Sequence, residues 1–194
     1  MKRNRRCASS LAMEKLKVPI VSDEDVLEVL RLWHFKSNRS RTNVFPEGAN
    51  FVHSDTLGAI RNRSGKVVPT AMTIQHPPVF AMLSRWLEDS TPDVFSQPFT
   101  FTSVNVNFGY AARPHRDQYN VGPSMTKAIG RFTGGQLVYW QHDDGSMDVA
   151  TADRDAGRKY DTRREMVLFD GNRCHAVAPS DGERYSLVFF TCPG

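Results

Sequence analysis

From Phe99 to the C-terminus, the sequence consists of short β-rich segments separated by Gly, Pro and Asp. The first segment, residues 99–108, alternates its side chains, and one face is predicted to carry Thr100, Thr102, Val104, Val106 and Phe108. The later predicted strands are residues 136–140, 147–150, 166–169, 174–178 and 185–191. Many short strands with turn signals between them favour a β-sandwich or jelly roll.

Two helices are predicted before this β-rich part. Ser22 followed by Asp25 is a helix-capping pattern, and apolar residues recur after it at helical spacing. The second helix is expected to begin at Pro77, because proline is favoured in the first turn and an apolar face follows. The chain is therefore predicted to be an α+β protein with a jelly-roll core and flanking N-terminal helices.

Length and composition indicate one soluble domain. The chain has 194 residues, of which 40% are hydrophobic and 24% charged. No apolar run approaches the length of a membrane span. The cysteines, Cys7, Cys174 and Cys192, form no Cys-x-x-Cys pair, which argues against a disulfide framework or a thiolate zinc site. We therefore expect an intracellular monomer, in the nucleus or cytoplasm, that is neither secreted nor membrane-bound.

Positive charge is concentrated in the N-terminal third. Residues 1–66 hold 13 Lys and Arg against 7 Asp and Glu, a net charge of +6, whereas residues 67–194 have a net charge of −2. Such clusters bind nucleic acid, serve as a nuclear address, or simply form a solvated surface. Residues 1–20 are expected to form a disordered basic arm, and residues 21–194 a single domain.

Three His-x-Asp pairs are candidates for a metal site: His53 with Asp55, His115 with Asp117, and His142 with Asp144. Two histidines and one carboxylate bind one face of Fe(II) and leave coordination positions open. The distant histidine of such a site is expected at His175, which begins a predicted strand. Nine residues later, Arg184 and Ser186 share a strand face, because side chains alternate. A guanidinium and a hydroxyl on one face suit a carboxylate ligand.

The position of each pair in the chain decides among them. The pair at His115 follows the segment 99–108 and precedes the remaining strands, as a sandwich that closes around a metal requires. The pair at His142 falls at an expected hairpin turn, where aspartates favour turn hydrogen bonds. The pair at His53 is interpreted as polar residues at a strand end, with a role facing the substrate left open.

Together these residues resemble the signature of the Fe(II)- and 2-oxoglutarate-dependent dioxygenases of the double-stranded β-helix fold. The resemblance covers about residues 99–191. Its elements are His115-x-Asp117, Gly134-Gly135-Gln136-Leu137, His175 and Arg184-x-Ser186.

The resemblance implies a role for each of these positions. His115, Asp117 and His175 would ligate iron, while Arg184 and Ser186 would hold a carboxylate of 2-oxoglutarate. Asn105 resembles a strand asparagine that AlkB-type members direct at 2-oxoglutarate, and Asn107 competes with it for this role. The implied cofactors are Fe(II), 2-oxoglutarate and O2, with ascorbate as the reductant.

Within the family, the segment from His115 to Leu137 most resembles the TET-type methylcytosine oxygenases and the thymine hydroxylases of base J synthesis. This implies hydroxylation of a C–H bond, with a methyl group of a pyrimidine base in DNA as the first candidate. A protein side chain or a small metabolite is the alternative substrate. From the residues alone, a zinc hydrolase with the same ligands and a non-catalytic jelly roll that binds a small acid or sugar also stay open.

Overall fold

The computed structural model of the protein describes residues 4–91, 98–118 and 120–194. The helices in these residues are α1 (Arg5–Lys15), α2 (Asp23–Leu32), α3 (Ala71–Gln75) and α4 (Pro77–Ser90). The strands are β1 (Ser37–Asn38), β2 (Val52–Arg61), β3 (Val67–Pro69), β4 (Ser103–Phe108), β5 (Ser124–Gly134), β6 (Leu137–Tyr139), β7 (Arg158–Tyr160), β8 (Val167–Phe169), β9 (His175–Val177) and β10 (Ser180–Phe190). Single 3-10 turns occur at Thr42–Val44 and Val149–Thr151.

The strands form two antiparallel sheets. The larger sheet has the order β1-β2-β4-β10-β5-β8, with β3 paired to the end of β2, and the smaller one has the order β7-β6-β9. Strand β10 lies between β4 and β5, so that strands distant in sequence become neighbours, as in jelly rolls. The predicted α+β class and the jelly-roll, or double-stranded β-helix, core with N-terminal helices are confirmed.

The two faces of β10 show how the sequence positions the site. One face packs into the hydrophobic core with α4 and carries Tyr185, Leu187 and Phe189. The other face lines a pocket between the sheets and carries Arg184, Ser186 and Val188. Burying each large apolar side chain stabilises the fold by roughly 2 kcal/mol. A register shift of one residue would expose them, so packing of the core fixes which side chains reach the pocket.

Both predicted helices are confirmed at their N-termini. Ser22 and Asp25 form a reciprocal capping box at the start of α2. Pro77 occupies the first turn of α4, where its missing N–H leaves no helix hydrogen bond unmade. No helix in the described ranges has both the length and the apolar character that crossing a membrane requires.

The N-terminal segment differs from the expected disordered arm, because residues 5–15 form α1. Ala8 and Ala12 are fully buried, and their small side chains let α1 pack closely on α2 and α4. Arg5 makes an ion pair with Asp55 at 2.6 Å, and its guanidinium lies 4.8 Å from the ring centroid of Trp33. Part of the basic cluster therefore belongs to the folded structure.

Of the six predicted strand segments, five coincide with strands and one does not, and β1, β2, β3, β5 and β7 were not predicted. The segments 136–140, 166–169 and 174–178 contain β6, β8 and β9, and the first segment contains the shorter β4. The segment 185–191 overlaps only the second half of β10, which begins at Ser180. The segment 147–150 is wrong, since Asp148 caps a 3-10 turn by accepting from the Ala150 N–H. Strands β2 and β5 were not predicted, because polar residues and internal glycines obscure their alternation.

Candidate metal centre

The three predicted ligand side chains converge at one point between the sheets. The ligand atoms of His115, Asp117 and His175 all lie within 4.8 Å of one another. Nε2 of His115 is 3.7 Å from one carboxylate oxygen of Asp117, and Nε2 of His175 is 3.8 Å from the other. This is the only group of three or more His, Cys, Asp or Glu side chains with metal-binding geometry among the described residues.

The backbone brings the two ligand-bearing segments together. His115 and His175 form an isolated antiparallel bridge, with N···O distances of 3.0 and 2.9 Å. The N–H of Asp117 donates to the carbonyl of Gly171 at 2.8 Å, which fixes the second candidate ligand beside the turn between β8 and β9. Main-chain pairing therefore assembles a site whose residues are far apart in sequence.

Hydrogen bonds orient both imidazole rings for coordination. Nδ1 of His115 is 2.8 Å from the carbonyl of Arg113, and Nδ1 of His175 is 2.9 Å from the carbonyl of Arg173. A carbonyl only accepts, so each Nδ1 carries the proton and each Nε2 keeps a lone pair. Burial, with a further contribution from His175, lowers the pKa of His115, which keeps its ring neutral.

The other two His-x-Asp pairs have different surroundings. In the first, Asp55 accepts from Arg5 and from the Trp33 indole, on the helix side of the sheet. In the second, His142 is exposed, and Asp144 caps a turn by accepting from the Ser146 N–H. Neither pair lies in a metal-binding group among the described residues.

Arg184 is buried without a carboxylate partner. Only 3% of its surface is exposed, and burial lowers the pKa of its guanidinium to about 10. Its Nη2 donates to the carbonyl of Gly135 at 3.0 Å, and its Nε has no hydrogen-bond partner. No carboxylate of the described residues lies within ion-pair distance of it. A buried cation with an unused donor is suited to an anionic ligand.

Gly135, the second of the two glycines before β6, makes room for the side chain of Arg184. Its φ of +69° disfavours any residue with a side chain, and an added Cβ would lie only 2.6 Å from Nε of Arg184. The glycine thus leaves the space in which the guanidinium lies. The Gly134-Gly135 pattern of the sequence is therefore part of the arginine site.

The pocket between the sheets, here called the inner pocket, contains the metal-binding group together with Arg184 and Ser186. Asn107 lies opposite Ser186 in the sheet, and its amide nitrogen is 3.4 Å from the Ser186 hydroxyl. Asn105 also lines this pocket, but it faces Val188 and accepts from Thr56 at 2.6 Å. The structure thus places Asn107, rather than the favoured Asn105, beside the predicted carboxylate site.

Sequence reasoning missed several residues of the inner pocket, of which two are polar groups that a ligand could use. Arg41, one of the basic residues of the N-terminal third, lines this pocket and donates to Asn107 and Ser54 at 3.1 and 3.0 Å. Thr162 lines it as well, and its hydroxyl is buried without a hydrogen-bond partner. Neither residue stands at a recognisable spacing from the ligands, so no local signal could have identified them.

Solved structures with a similar fold are known. A 2-oxoglutarate- and Fe(II)-dependent oxygenase from Burkholderia pseudomallei is 14% identical, with a TM-score of 0.53 over 98% of this chain and 92% of that one. The chain has the fold of this oxygenase family. No protein-family model and no curated protein sequence matches it.

Two further structures are similar at lower TM-scores. One is NgTET1 in complex with 5mC DNA, 20% identical, with a TM-score of 0.48 over 72% of this chain. The chain spans 60% of the length of that protein chain. The other is a prolyl-4-hydroxylase from Pseudomonas putida, 15% identical, with a TM-score of 0.41 over 98% of this chain and 88% of that one.

Proposed function

We propose that the protein is an Fe(II)- and 2-oxoglutarate-dependent dioxygenase that hydroxylates a C–H bond. The observation that carries this proposal is the buried Arg184, which has no carboxylate partner among the described residues and lines the same pocket as His115, Asp117 and His175. A metal-binding group beside an unpaired buried cation fits a ligand that coordinates a metal at one end and carries a carboxylate at the other.

The residues present fit both cofactors. Two imidazoles and one carboxylate are the donor set of non-haem Fe(II) oxygenases, and Asp117 supplies the single negative charge. Arg184 and Ser186 would hold the distal carboxylate of 2-oxoglutarate, and the unpartnered Thr162 hydroxyl lines the same space. Arg41 gives the inner pocket a second cation for a ligand with two carboxylates.

The proposed reaction converts R–H, O2 and 2-oxoglutarate into R–OH, succinate and CO2. When bound, the iron supplies the activation of O2 that this oxidation needs. The protein's part is to hold the rings of His115 and His175 with Nε2 unprotonated, and to position the co-substrate through Arg184. Apolar side chains of both sheets, Leu137, Phe169, Val177 and Val188, line the inner pocket and restrict bulk water.

Two other functions compete with this one. A zinc hydrolase could use the same three ligands, but its chemistry gives no use to a buried unpaired arginine beside them. A non-catalytic jelly roll could use Arg184 to bind a small acid, but it would not need two imidazoles oriented by their Nδ1 hydrogen bonds.

The decisive experiment measures binding and turnover of 2-oxoglutarate. Anaerobic titration should show that 2-oxoglutarate binds much more tightly with Fe(II) present, and O2 with ascorbate should then yield succinate. Succinate release would next be compared across DNA, RNA, peptides and metabolites. Binding of Fe(II) without binding of 2-oxoglutarate or release of succinate would contradict the proposal. Hydrolytic activity of the Zn(II)-loaded protein would favour the competing function as a zinc hydrolase.

For the substrate, we propose a methyl group of a pyrimidine base in DNA. Beside the metal-binding group lies an open cleft of about 770 Å³, here called the outer cleft, lined also by Asn43, Arg113 and Asn172. Arg113 donates to the carbonyls of Thr42 and Asn43, and no carboxylate of the described residues pairs with it. Its charge is therefore free to attract a phosphate at the entrance to the site.

The positive charges of residues 1–66 separate into different locations. Lys36 and Arg39 are exposed on either side of β1, which pairs with the start of β2. Val52 of β2 packs with Val44 and Ala112, which adjoin the outer-cleft residues Asn43 and Arg113 in sequence. Arg61, at the end of β2, is eight residues beyond His53, roughly 26 Å along the strand. Arg39 and Arg113 are therefore the candidates for phosphate contact, and Arg63 in the β2–β3 turn is a matched control.

Oligonucleotide binding across a range of salt concentrations tests the substrate proposal. The logarithm of the affinity should fall with the logarithm of salt by about 0.9 per phosphate contact, and Arg39→Gln with Arg113→Gln should flatten this slope. Arg63→Gln should leave it unchanged. Mass spectrometry should then detect oxidised 5-methylcytosine or thymine. Undetectable or salt-independent binding without any oxidised base would direct the assignment to a protein side chain or a small metabolite.

A further inference from the structure

Asp143 lies between the two chain segments that carry the predicted metal ligands. Its side chain is fully buried. The two carboxylate oxygens accept from Nε and Nη2 of Arg116, both at 2.6 Å. The same carboxylate accepts from the N–H of Cys174 at 2.6 Å and from the N–H of Gly145 at 3.0 Å. This aspartate was expected only to stabilise a hairpin turn.

Two of the donors to the Asp143 carboxylate are direct sequence neighbours of the predicted metal ligands. Arg116 stands between His115 and Asp117, and Cys174 immediately precedes His175. One buried carboxylate therefore connects the segment that carries two of the ligands to the segment that carries the third. The other connections between the two segments in the described residues include main-chain bonds, namely the His115–His175 bridge and the bonds from Asp117 to Gly171 and from Val177 to Ala112. The side-chain amide of Asn172 also donates to the carbonyl of Asn120 at 3.0 Å.

Arg116 extends the connection to the loop that follows β6. Besides pairing with Asp143, its Nη2 donates to the carbonyl of Met147 at 2.7 Å. The N–H of Asp143 donates to the carbonyl of Trp140, whose own N–H donates to the carbonyl of Cys174. The loop is thus attached to β9 by its main chain and to the His115 segment by an ion pair.

We propose that Asp143 is a positioning residue of the metal centre, whose carboxylate sets the spacing of the His115–Asp117 segment relative to His175. The inference rests on the proposed function, because it concerns metal binding by the same three side chains. Groups that orient metal ligands typically change metal affinity 10- to 100-fold when they are replaced.

Asparagine is the informative substitution because it has nearly the same shape. An asparagine at this position offers one acceptor oxygen, and its NH2 group would face donors of Arg116 or Cys174. Asp143→Asn should therefore loosen the connection between the two segments while it preserves packing. We expect the dissociation constant for Co(II), used as a spectroscopic substitute for Fe(II), to rise 10- to 100-fold.

The measurement is an anaerobic titration of the metal-free protein with Co(II), followed by its d–d absorption. Arg116→Gln should weaken Co(II) binding to a similar degree, and the double variant should weaken it little further, because both changes remove one interaction. Asp55→Asn is the matched control, since Asp55 pairs with Arg5 and Trp33 on the other face of the sheet. It should lower thermal stability without changing Co(II) affinity or the absorption spectrum.

Several outcomes separate the alternatives. Wild-type affinity in folded Asp143→Asn, or in Arg116→Gln if Asp143→Asn does not fold, would overturn the inference. An equal loss of affinity in Asp55→Asn would also overturn it, because the effect would then reflect general stability. If the His115→Ala variant bound Co(II) as tightly as the wild-type protein, this result would instead contradict the proposed function.

Discussion

Two arginines of the site, one deep in the inner pocket and one beside the outer cleft, have opposite surroundings. Arg116 pairs with a buried aspartate through two hydrogen bonds of 2.6 Å. Arg184 is more deeply buried, yet it has a single carbonyl partner and an unsatisfied Nε. Both side chains carry a charge, but within the described part of the chain only Arg116 has that charge neutralised by a carboxylate.

The difference distinguishes a structural cation from one available to a ligand. A buried charge lowers the stability of the fold unless a partner compensates for it. In the loop after β6 the compensation comes from the chain itself, so that Arg116 holds two segments together. In the inner pocket the guanidinium of Arg184 has only the carbonyl of Gly135 and the ring of Phe132, whose centroid is 5.5 Å away, and no carboxylate of the described residues. A carboxylate ligand would therefore offset the cost of burying this charge.

The largest expected effect comes from removing a predicted metal ligand, since the surroundings of both Arg116 and Arg184 are interpreted as serving the metal centre. Asp117→Ala or His115→Ala should abolish succinate formation, because two ligands do not hold Fe(II) in the required geometry. His53→Ala and His142→Ala should retain the metal and the activity. Metal content by atomic spectroscopy and succinate assays would check this. Loss of iron in His142→Ala, with iron retained in His115→Ala, would show that the metal-binding pair was wrongly identified.

The next effect concerns the free energy of unfolding, which should fall when Arg116 is replaced but not when Arg184 is replaced. Arg116→Met leaves the buried Asp143 without its cation and should lower the free energy of unfolding by about 3 kcal/mol. Arg184→Met removes an unpaired charge and should leave the free energy of unfolding within about 1 kcal/mol of wild type, or raise it. Urea unfolding of the metal-free proteins measures both.

Equal destabilisation by the two methionine variants would remove the distinction between the arginines. Arg184 would then support the fold, and its lack of a carboxylate partner would no longer indicate a ligand. Lys17, exposed in an ion pair with Glu14, provides a reference, because Lys17→Met should change the free energy of unfolding by less than 1 kcal/mol.

The sequence allowed the pocket-facing side of β10 to be predicted but not the groups that complete the site. His175 follows from its position at the start of a predicted strand, and Arg184 and Ser186 follow from strand alternation nine residues later. Arg41 and Thr162 reach the inner pocket from irregular segments, whose direction depends on how the whole chain folds. Asp143 shows a further limit, since its turn-forming residue type conceals contacts with two distant segments.

The same limit applies to the fold. Helix α2 has a capping box that the sequence displays, whereas α1 is hidden among basic residues because its buried face consists of alanines. Strands β4 and β10 alternate visibly, but β2 and β5 depend on their neighbours for pairing. Local patterns therefore predicted the elements with strong intrinsic signals, and tertiary contacts formed the others.

A smaller effect tests the geometry of the arginine itself. Arg184→Lys retains a positive charge but loses the planar pair of donors that a carboxylate binds. The Michaelis constant for 2-oxoglutarate should rise 10- to 100-fold, consistent with loss of one charge-assisted hydrogen bond. Fe(II) affinity should not change, since Arg184 is not in the metal-binding group. An unchanged Michaelis constant would mean that the guanidinium does not contact the co-substrate.

The smallest expected effect distinguishes the two asparagines of β4. Asn107→Ala should raise the Michaelis constant for 2-oxoglutarate about fivefold, because Asn107 approaches Ser186 to 3.4 Å and accepts from Arg41. Asn105→Ala, a matched change two residues away on the same face, loses a hydrogen bond with Thr56 and should leave that constant unchanged. Steady-state kinetics with 2-oxoglutarate varied would measure both. If instead Asn105→Ala raised the Michaelis constant and Asn107→Ala did not, the contact with 2-oxoglutarate would be assigned to Asn105. The co-substrate would then lie farther along β4 than Arg184 and Ser186 indicate.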